Sequence, residues 1–458
     1  MKKLFLILII TIASSCSFDN KTGIWQDASD IPVNNQVTKT ILDSKPNQRY
    51  EDIFIEDETF NEEKEATTFS NVKIEEPTRI TNWLQEYATP SNNVSNFSYS
   101  DNRILLYKSS KLSNFLSSKK NLNKKIIFHK NNFISHDDKG KIFIFSISLN
   151  KKIFEFDFYK RNFKKFNKKI NFIVNDNILY AADNLGYIYA INLDKKSLIW
   201  AKNYGIPFRS NLKFVDNQII LANQDNVIYS ISSKTGEKNW QFATSLTFLK
   251  SDFINNFAID LAKKNIFFLN TSGELFSINY LTKKINWVLN FKNLILAGNA
   301  TEIFFSKPLV VKNNDLIVTT EKAILSYNSQ RGSKNWDFTA EPVSRPIMTL
   351  KNTYAMLKND LLICLDSLTG EVIWSKNIFN SIKNNKIINK FGSIIDFKIA
   401  NSEINVYSEN GFVLRFDPSN GNLNSQNRIS KKGIISEVFF LDDNIFFINI
   451  NNKLLKFN

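Results

Sequence analysis

Few residues in this chain have types and spacing suited to chemistry. Its 458 residues include two cysteines, Cys16 and Cys364, and two histidines, His129 and His136. Cys16 ends the stretch MKKLFLILIITIASSC. Lys2 and Lys3 give a positive start, residues 4–12 an apolar run, and Ala13, Ser14 and Ser15 a small-residue approach to the cysteine. The run is too short to span a bilayer comfortably, so residues 1–15 read as a signal peptide. The pattern is that of a lipobox: cleavage before Cys16, then acylation of its thiol and amine. Each buried methylene of the acyl chains would add about 0.8 kcal/mol of membrane affinity. A plain secretory signal with an incidental cysteine is the alternative.

The remaining candidates point away from catalysis. Once exported, the chain keeps one further cysteine, which excludes an internal disulfide framework. Cys364 sits in a slot held by Ala190, Ser230, Ser277 and Ser326 in similar stretches, so it reads as a tight packing position without a histidine to serve as base. Two histidines are too few for a histidine-rich metal site. Asp183, Asp225 and Asp366 recur at turns and read as turn formers. No nucleophile elbow, phosphate loop or metal-ligand spacing occurs, and neither metal nor cofactor is expected.

Net charge is +15, with 59 Lys and Arg against 44 Asp and Glu. Such a balance raises nucleic acid as a partner. The surplus of Lys accompanies 40 Phe and abundant Asn and Ile, residues that A/T-rich codons encode, and an exported protein meets little nucleic acid. Nucleic-acid binding is therefore not expected. The charge is also divided. Residues 17–79 carry 14 acids and 7 bases, a net of −7, which leaves +20 on residues 80–458. Their scattered apolar residues have no sustained period, so residues 16–79 read as an acylated cysteine followed by an acidic, mostly disordered tether. A docking segment anchored by Ile53, Phe54, Ile55 and Phe60 is the alternative.

The elements behind these residues come from repetition. GYIYAINLDKKSLIW, residues 186–200, is a strand, a polar turn and a strand ending in Trp. The frame returns at residues 226–240, 273–287, 322–336 and 360–374, and at 411–425 with Ser425 in place of Trp. Residues 140–154 fit it with Phe154 in the Trp slot. Two further strands precede each phrase, separated by turns such as Asp216-Asn217 and Asp442-Asp443. Asn and Asp suit such turns because they tolerate left-handed backbone. Third strands aligned on Phe145, Ile191, Ile231, Ile278, Tyr327, Leu365, Phe416 and Phe457 recur at 38–51 residues, the length of a four-stranded propeller blade. Strands apolar on both faces fit blades sandwiched between neighbours.

The expected fold is thus all-β: an eight-bladed β-propeller of four-stranded antiparallel blades over residues 80–458. The last repeat ends after its third strand. Residues 80–87, ITNWLQEY, are expected to supply the missing fourth strand and close the ring. Trp83, Trp200, Trp240, Trp287, Trp336 and Trp374 are expected to pack between blades rather than to stack a ligand.

On these motifs the chain resembles the BamB family, lipoprotein subunits of the outer-membrane β-barrel assembly machine. The small residue, third strand, Thr-Gly-like turn and Trp match its quinoprotein-type (PQQ) repeat. Asn96-Phe97 and Tyr180-Ala181-Ala182-Asp183 before Gly186 also look like that family. The resemblance implies a non-enzymatic scaffold that binds the periplasmic part of BamA, contacts unfolded barrel precursors and aids barrel insertion. It implies a monomer within a complex, held by lipid on Cys16 at the periplasmic face of the outer membrane. Ser17, where an inner-membrane protein often has Asp, agrees. By the same resemblance the partner loop follows Trp240, with Leu246, Phe248, Leu249 and Lys250, and an acidic patch falls near Glu302. Folding of Leu246 or Phe248 back onto the blade is the alternative. Two other classes share such propellers. One is a quinone-dependent dehydrogenase, which by resemblance uses Ca²⁺, a catalytic Asp and often adjacent cysteines, a pair this sequence lacks. The other is a periplasmic glycan-binding propeller.

Overall fold

The computed structural model describes residues 58–66, 72–112, 125–159, 163, 165–246, 255–291, 303–382 and 385–458, and the backbone alone of 16–19, 24–27 and 49–50. Residues 1–15, expected to be a signal peptide, lie outside the described residues. Eight sheets of four antiparallel strands follow one another around a ring. Blade 1 begins at Ile127–His129, blade 2 at Ile170–Asn175, blade 3 at Lys213–Val215 and blade 4 at Asn256–Asp260. Blades 5 to 8 begin at Val310–Lys312, Ile347–Met348, Ile394–Ala400 and Phe439–Leu441. First strands of adjacent blades touch each other, so they line the axis, and fourth strands form the outer edge.

Local chemistry explains the repetition. Four of the hairpins joining first and second strands have paired left-handed residues: Lys130-Asn131, Asp216-Asn217, Asn401-Ser402 and Asp442-Asp443. A two-residue turn of this hand matches the twist of the strands it joins. Every third strand pairs with its fourth through a bulge, and the residue after each bulge is one on which the eight repeats align. Just before the bulge stand the pairs Ala190/Trp200, Ser230/Trp240, Ser277/Trp287, Ser326/Trp336 and Cys364/Trp374. The third strands are buried on both faces, as in Ile188, Tyr189, Ala190 and Ile191. Among the described residues there is one α-helix, Asn385–Phe391, which seats Phe391 against Phe379 between blades 6 and 7.

The ring is closed by an N-terminal strand, but not by residues 80–87. Leu105–Lys108 pairs with Leu454–Phe457 and completes blade 8. Tyr107, opposite Lys456 beside the bulge, takes the Trp position there. Trp83 instead makes a single bridge, donating its N–H to Phe128 O at 2.9 Å and accepting from Phe128 N at 3.0 Å. Its indole is 1% exposed, stacked on Phe97 and edge-on to Phe439.

Residues 80–100 form an axial plug bonded to all eight blades. Val174 N donates to Leu84 O, Ile259 N to Pro90 O and Val311 N to Ser91 O. Met348 N donates to Asn93 Oδ1, and Lys213 Nζ to Asn92 Oδ1 at 2.5 Å. Phe97 N donates to Ile399 O, and Asp442 N to Ile80 O. These contacts fall toward the ends of the first strands, on the face of the first hairpins.

The stretch expected to be a free tether is partly laid against the ring. Arg49–Tyr50 adds a parallel strand to blade 4 beside Leu289–Asn290. Lys64 bridges Ser375 at the edge of blade 6, and Phe60 lies on Phe338 of blade 5. Phe60 is therefore an anchor, the alternative reading of this stretch; Ile53, Phe54 and Ile55 lie outside the described residues. The reason is physical: an edge strand offers unpaired N–H and C=O groups to any extended chain nearby.

The seam between blades is testable at its turns. Gly370 has φ +77°, and a Cβ there would stand 2.7 Å from the Trp336 ring. Gly370→Ala is expected to cost about 2–4 kcal/mol, combining left-handed strain with a clash. Lys283 occupies the equivalent turn of blade 4 at φ +60°. Lys283→Gly relieves that strain and should leave the urea midpoint unchanged or raised, whereas Gly370→Ala lowers it.

Candidate functional site: loop roots, plug and the buried charges of the axis

The tryptophans belong to the framework. Trp200 Nε1 donates to Ser233 O, Trp287 to Ser329 O, Trp336 to Ser367 O and Trp374 to Pro418 O, each time in the next blade, at 2.8–3.2 Å. Their rings lie against Gly236, Gly332, Gly370 and Gly421, respectively. Trp240 differs: the next turn offers Lys283 instead of Gly, and its indole donates to Gln218 Oε1 of its own blade at 3.3 Å.

The one slot among the eight that holds no aromatic residue has its own cause. In blade 7 the buried residue opposite Ser425 is Arg415, which donates to Asn405 Oδ1 at 3.0 Å and to Asp101 Oδ1 at 2.9 Å. A long side chain replaces the small one, a small residue replaces Trp, and Arg415 ties the blade to the segment leading into the closing strand.

Potential catalytic groups are used structurally. Cys364 is fully buried opposite Trp374, and burial pushes its thiol well above the usual range. Asp183 accepts from Leu185 N and Tyr187 N and from the Tyr159 hydroxyl, and burial raises its carboxyl. The same turn is held by Asp137, Asn223, Asn270 and Asn449 in other blades. Asp366 likewise accepts from Leu368 N and Thr369 N. His129 contacts Asn177 Oδ1 and His136 the Asp137 carbonyl. Among the described residues no group of three His, Cys, Asp or Glu could hold a metal ion.

The expected partner loop is visible at its root. Leu246 is 65% exposed and does not fold onto the blade. Phe248, Leu249, Lys250 and Glu302 lie outside the described residues. Ser245 donates through its N–H and hydroxyl to Glu274, which is buried in blade 4. Asn226 Nδ2 and Ser272 Oγ both donate to Ser245 O. The chain returns at Asn255, whose Oδ1 accepts from Thr271 N. The second loop, which carries Glu302, is rooted on the same turn. Phe291 N donates to Gly273 O, Phe304 N to Thr271 O, and the two rings stack at 5.5 Å. One turn of blade 4, residues 270–274, therefore holds the roots of both loops, on the face opposite the first hairpins. Sequence reading named the loop but not this base, because Ser245 and Glu274 are 29 positions apart.

Charges, buried or half-buried, lie along the axis. Lys398 donates to Asp396 and Glu437 at 3.1 and 3.0 Å. Lys125 pairs with Glu86, and Arg345 lies 4.6 Å over the Tyr87 ring. Among the described residues no carboxylate is bonded to Lys213, which is fully buried, and burial lowers its ammonium to about 7. The unfolded value is about 10.4, so between roughly pH 7 and 10 the unfolded chain binds the extra proton. Stability should therefore rise with pH through that window and level off below it. Lys213→Met should flatten the rise, measured as urea midpoints at pH 7 and 9.5.

The fold and repeats define a class: the eight-bladed propeller of quinoprotein-type repeats. Within it the chain resembles the BamB family, whose model, described as outer membrane protein assembly factor BamB, matches residues 159–376. The chain is 20% identical over 268 residues to the outer membrane protein assembly factor BamB of Moranella endobia, across 54% of this chain and 64% of that protein. It thus spans slightly under two thirds of that relative. The Yersinia pestis BamB is 20% identical over 283 residues, 57% of this chain and 67% of its own. In fold, the crystal structure of BamB from Moraxella catarrhalis superposes with TM-score 0.58 at 10% identity, covering 78% of this chain and 99% of that one. A quinohemoprotein alcohol dehydrogenase from Pseudomonas putida superposes at 0.54 with 8% identity, covering 82% and 80%; this likeness is one of fold alone.

Proposed function

We propose that this protein is a non-enzymatic scaffold of outer-membrane β-barrel assembly. It is anchored by lipid on Cys16 at the periplasmic face of the outer membrane. The observation that carries the reading is the common root of two loops on the blade 4 turn, residues 270–274, where Glu274 clamps the start of the first loop and the Phe291–Phe304 stack closes the base of the second. Two loops springing from one rigid turn make a composite surface, which suits protein recognition better than chemistry. The relatives named as BamB assembly factors support the same reading.

In this role Leu246, Phe248 and Leu249 are apolar anchors, with Lys250 and Glu302 as charged rim. The partner is a BamA-like subunit, and unfolded barrel precursors are secondary clients. The net +20 of residues 80–458 favours encounter with acidic partner surfaces.

A photocrosslinker at Leu246 or Leu249 in the acylated full chain should capture the BamA-like subunit. One at Leu281, exposed in the third-to-fourth-strand turn of blade 4 on the opposite face, should not. Capture from Leu281 alone would overturn the loop assignment.

A further inference from the structure

The segment laid over blades 5 and 6 is held by more than a strand edge. Phe60 packs on Phe338 with ring centroids 5.1 Å apart, its N–H donates to Thr339 O at 3.2 Å, and its carbonyl accepts from Asn359 Nδ2 at 3.0 Å. Three residues on, the Glu63 carboxylate accepts from Asn377 N at 2.5 Å and Asn380 Nδ2 at 2.9 Å. Lys64 exchanges both backbone hydrogen bonds with Ser375, at 3.0 and 2.9 Å, and Ser375 Oγ donates to Glu62 O at 2.6 Å. Glu65 pairs with Lys376.

Side chains and backbone are thus read together. Backbone pairing at Lys64 sets the register, because a one-residue slip would turn each side chain to the other face. The Phe338 slot accepts an aromatic residue, and the ring supplies separate donors for carboxylates three and five positions later. The sign of charge agrees, an acidic stretch lying on a basic body. Extended peptides that add to a sheet edge bind in this way, with main-chain bonds for affinity and pockets for selectivity.

We propose that the outer edge of blade 6, with the Phe338 slot of blade 5, is a peptide-binding site for acidic extended segments. The pattern it selects is an aromatic residue followed by carboxylates at the third and fifth positions. Residues 60–65 of the chain are its resident ligand in cis. Tethering raises the local concentration of that ligand to the order of millimolar, so a partner segment of the same pattern enters only at comparable effective concentration.

The test uses the full chain with Phe60→Ala, Glu63→Ala and Glu65→Ala, which vacates the site, and a fluorescent peptide of residues 58–66. Anisotropy should show saturable binding to the vacated chain, at least about tenfold weaker binding to the native chain, and loss of binding when Phe338→Ala is added. A scrambled peptide of equal composition should bind at least about tenfold worse. No saturable binding to a folded vacated chain overturns the proposal, and so does equal binding of the scrambled peptide, which would leave only charge attraction. Should the vacated chain not fold, the native chain is challenged with millimolar peptide carrying a photoreactive phenylalanine at the position of Phe60. Attachment beside Phe338 supports the site, and attachment elsewhere or none overturns it.

Discussion

The ring depends on an indole from one blade lying on a glycine turn of the next. A blade has two faces and no core of its own; its apolar strands are buried only when a neighbour stacks on each side. At four of the seams the ring of Trp200, Trp287, Trp336 or Trp374 covers Gly236, Gly332, Gly370 or Gly421 and donates to a carbonyl there. A buried Trp contributes about 3–5 kcal/mol by comparison with Ala. The hydrogen bond adds direction, since the indole reaches its acceptor in one orientation. Slots without Trp face turns without Gly: the turn after Phe154 has Lys196 in the left-handed position, and Tyr107 faces Asn150, bonding it through its hydroxyl at 2.8 Å. Indole and glycine act as a pair, and Trp240, which faces Lys283, finds its partner inside its own blade.

Seams make a ring, but they do not fill its axis. The plug does so with polar side chains as well as with apolar ones such as Trp83 and Phe97. Asn92 donates to Phe257 O and Leu309 O at 2.7 and 2.8 Å and accepts from Lys213, while Asn93 both donates to and accepts from Met348. The side-chain amides stand in for a strand at places where no strand could satisfy several blades at once. An unmet carbonyl in that interior would cost about 1–3 kcal/mol, so the match between plug and strand ends keeps the axis closed.

What could be read from sequence follows from this division. Blade number, turn chemistry and the framework role of Trp were legible because each recurs at a fixed offset. The closing strand was not. Residues 80–87 offer Trp and an apolar pattern, whereas Leu105–Lys108 is four residues long with Tyr in the slot. A strand that short is chosen by the register of its partner, Leu454–Phe457, and not by its own propensity. The plug has no period, since its shape answers to eight strand ends. The roots of the loops were hidden for a similar reason: Asn226, Asn270 and Glu274 look like ordinary turn residues until Ser245 is brought against them.

Repetition also determines where recognition can reside. The repeated positions are spent: indoles in seams, Asp and Asn in turns, Cys364 beneath Trp374. What remains is the outer edges and the segments between blades, and these are not evenly distributed. Arg49–Tyr50 lies along blade 4, Phe60 reaches blade 5 and Lys64 reaches blade 6, while the roots of both loops lie on the blade 4 turn. Arg49–Tyr50 therefore lies in the same sector as the roots of the loops. The plug, bonded to every blade, ties the ring together behind that sector. A scaffold needs that combination, because a loop can present a fixed surface only if the body behind it does not yield.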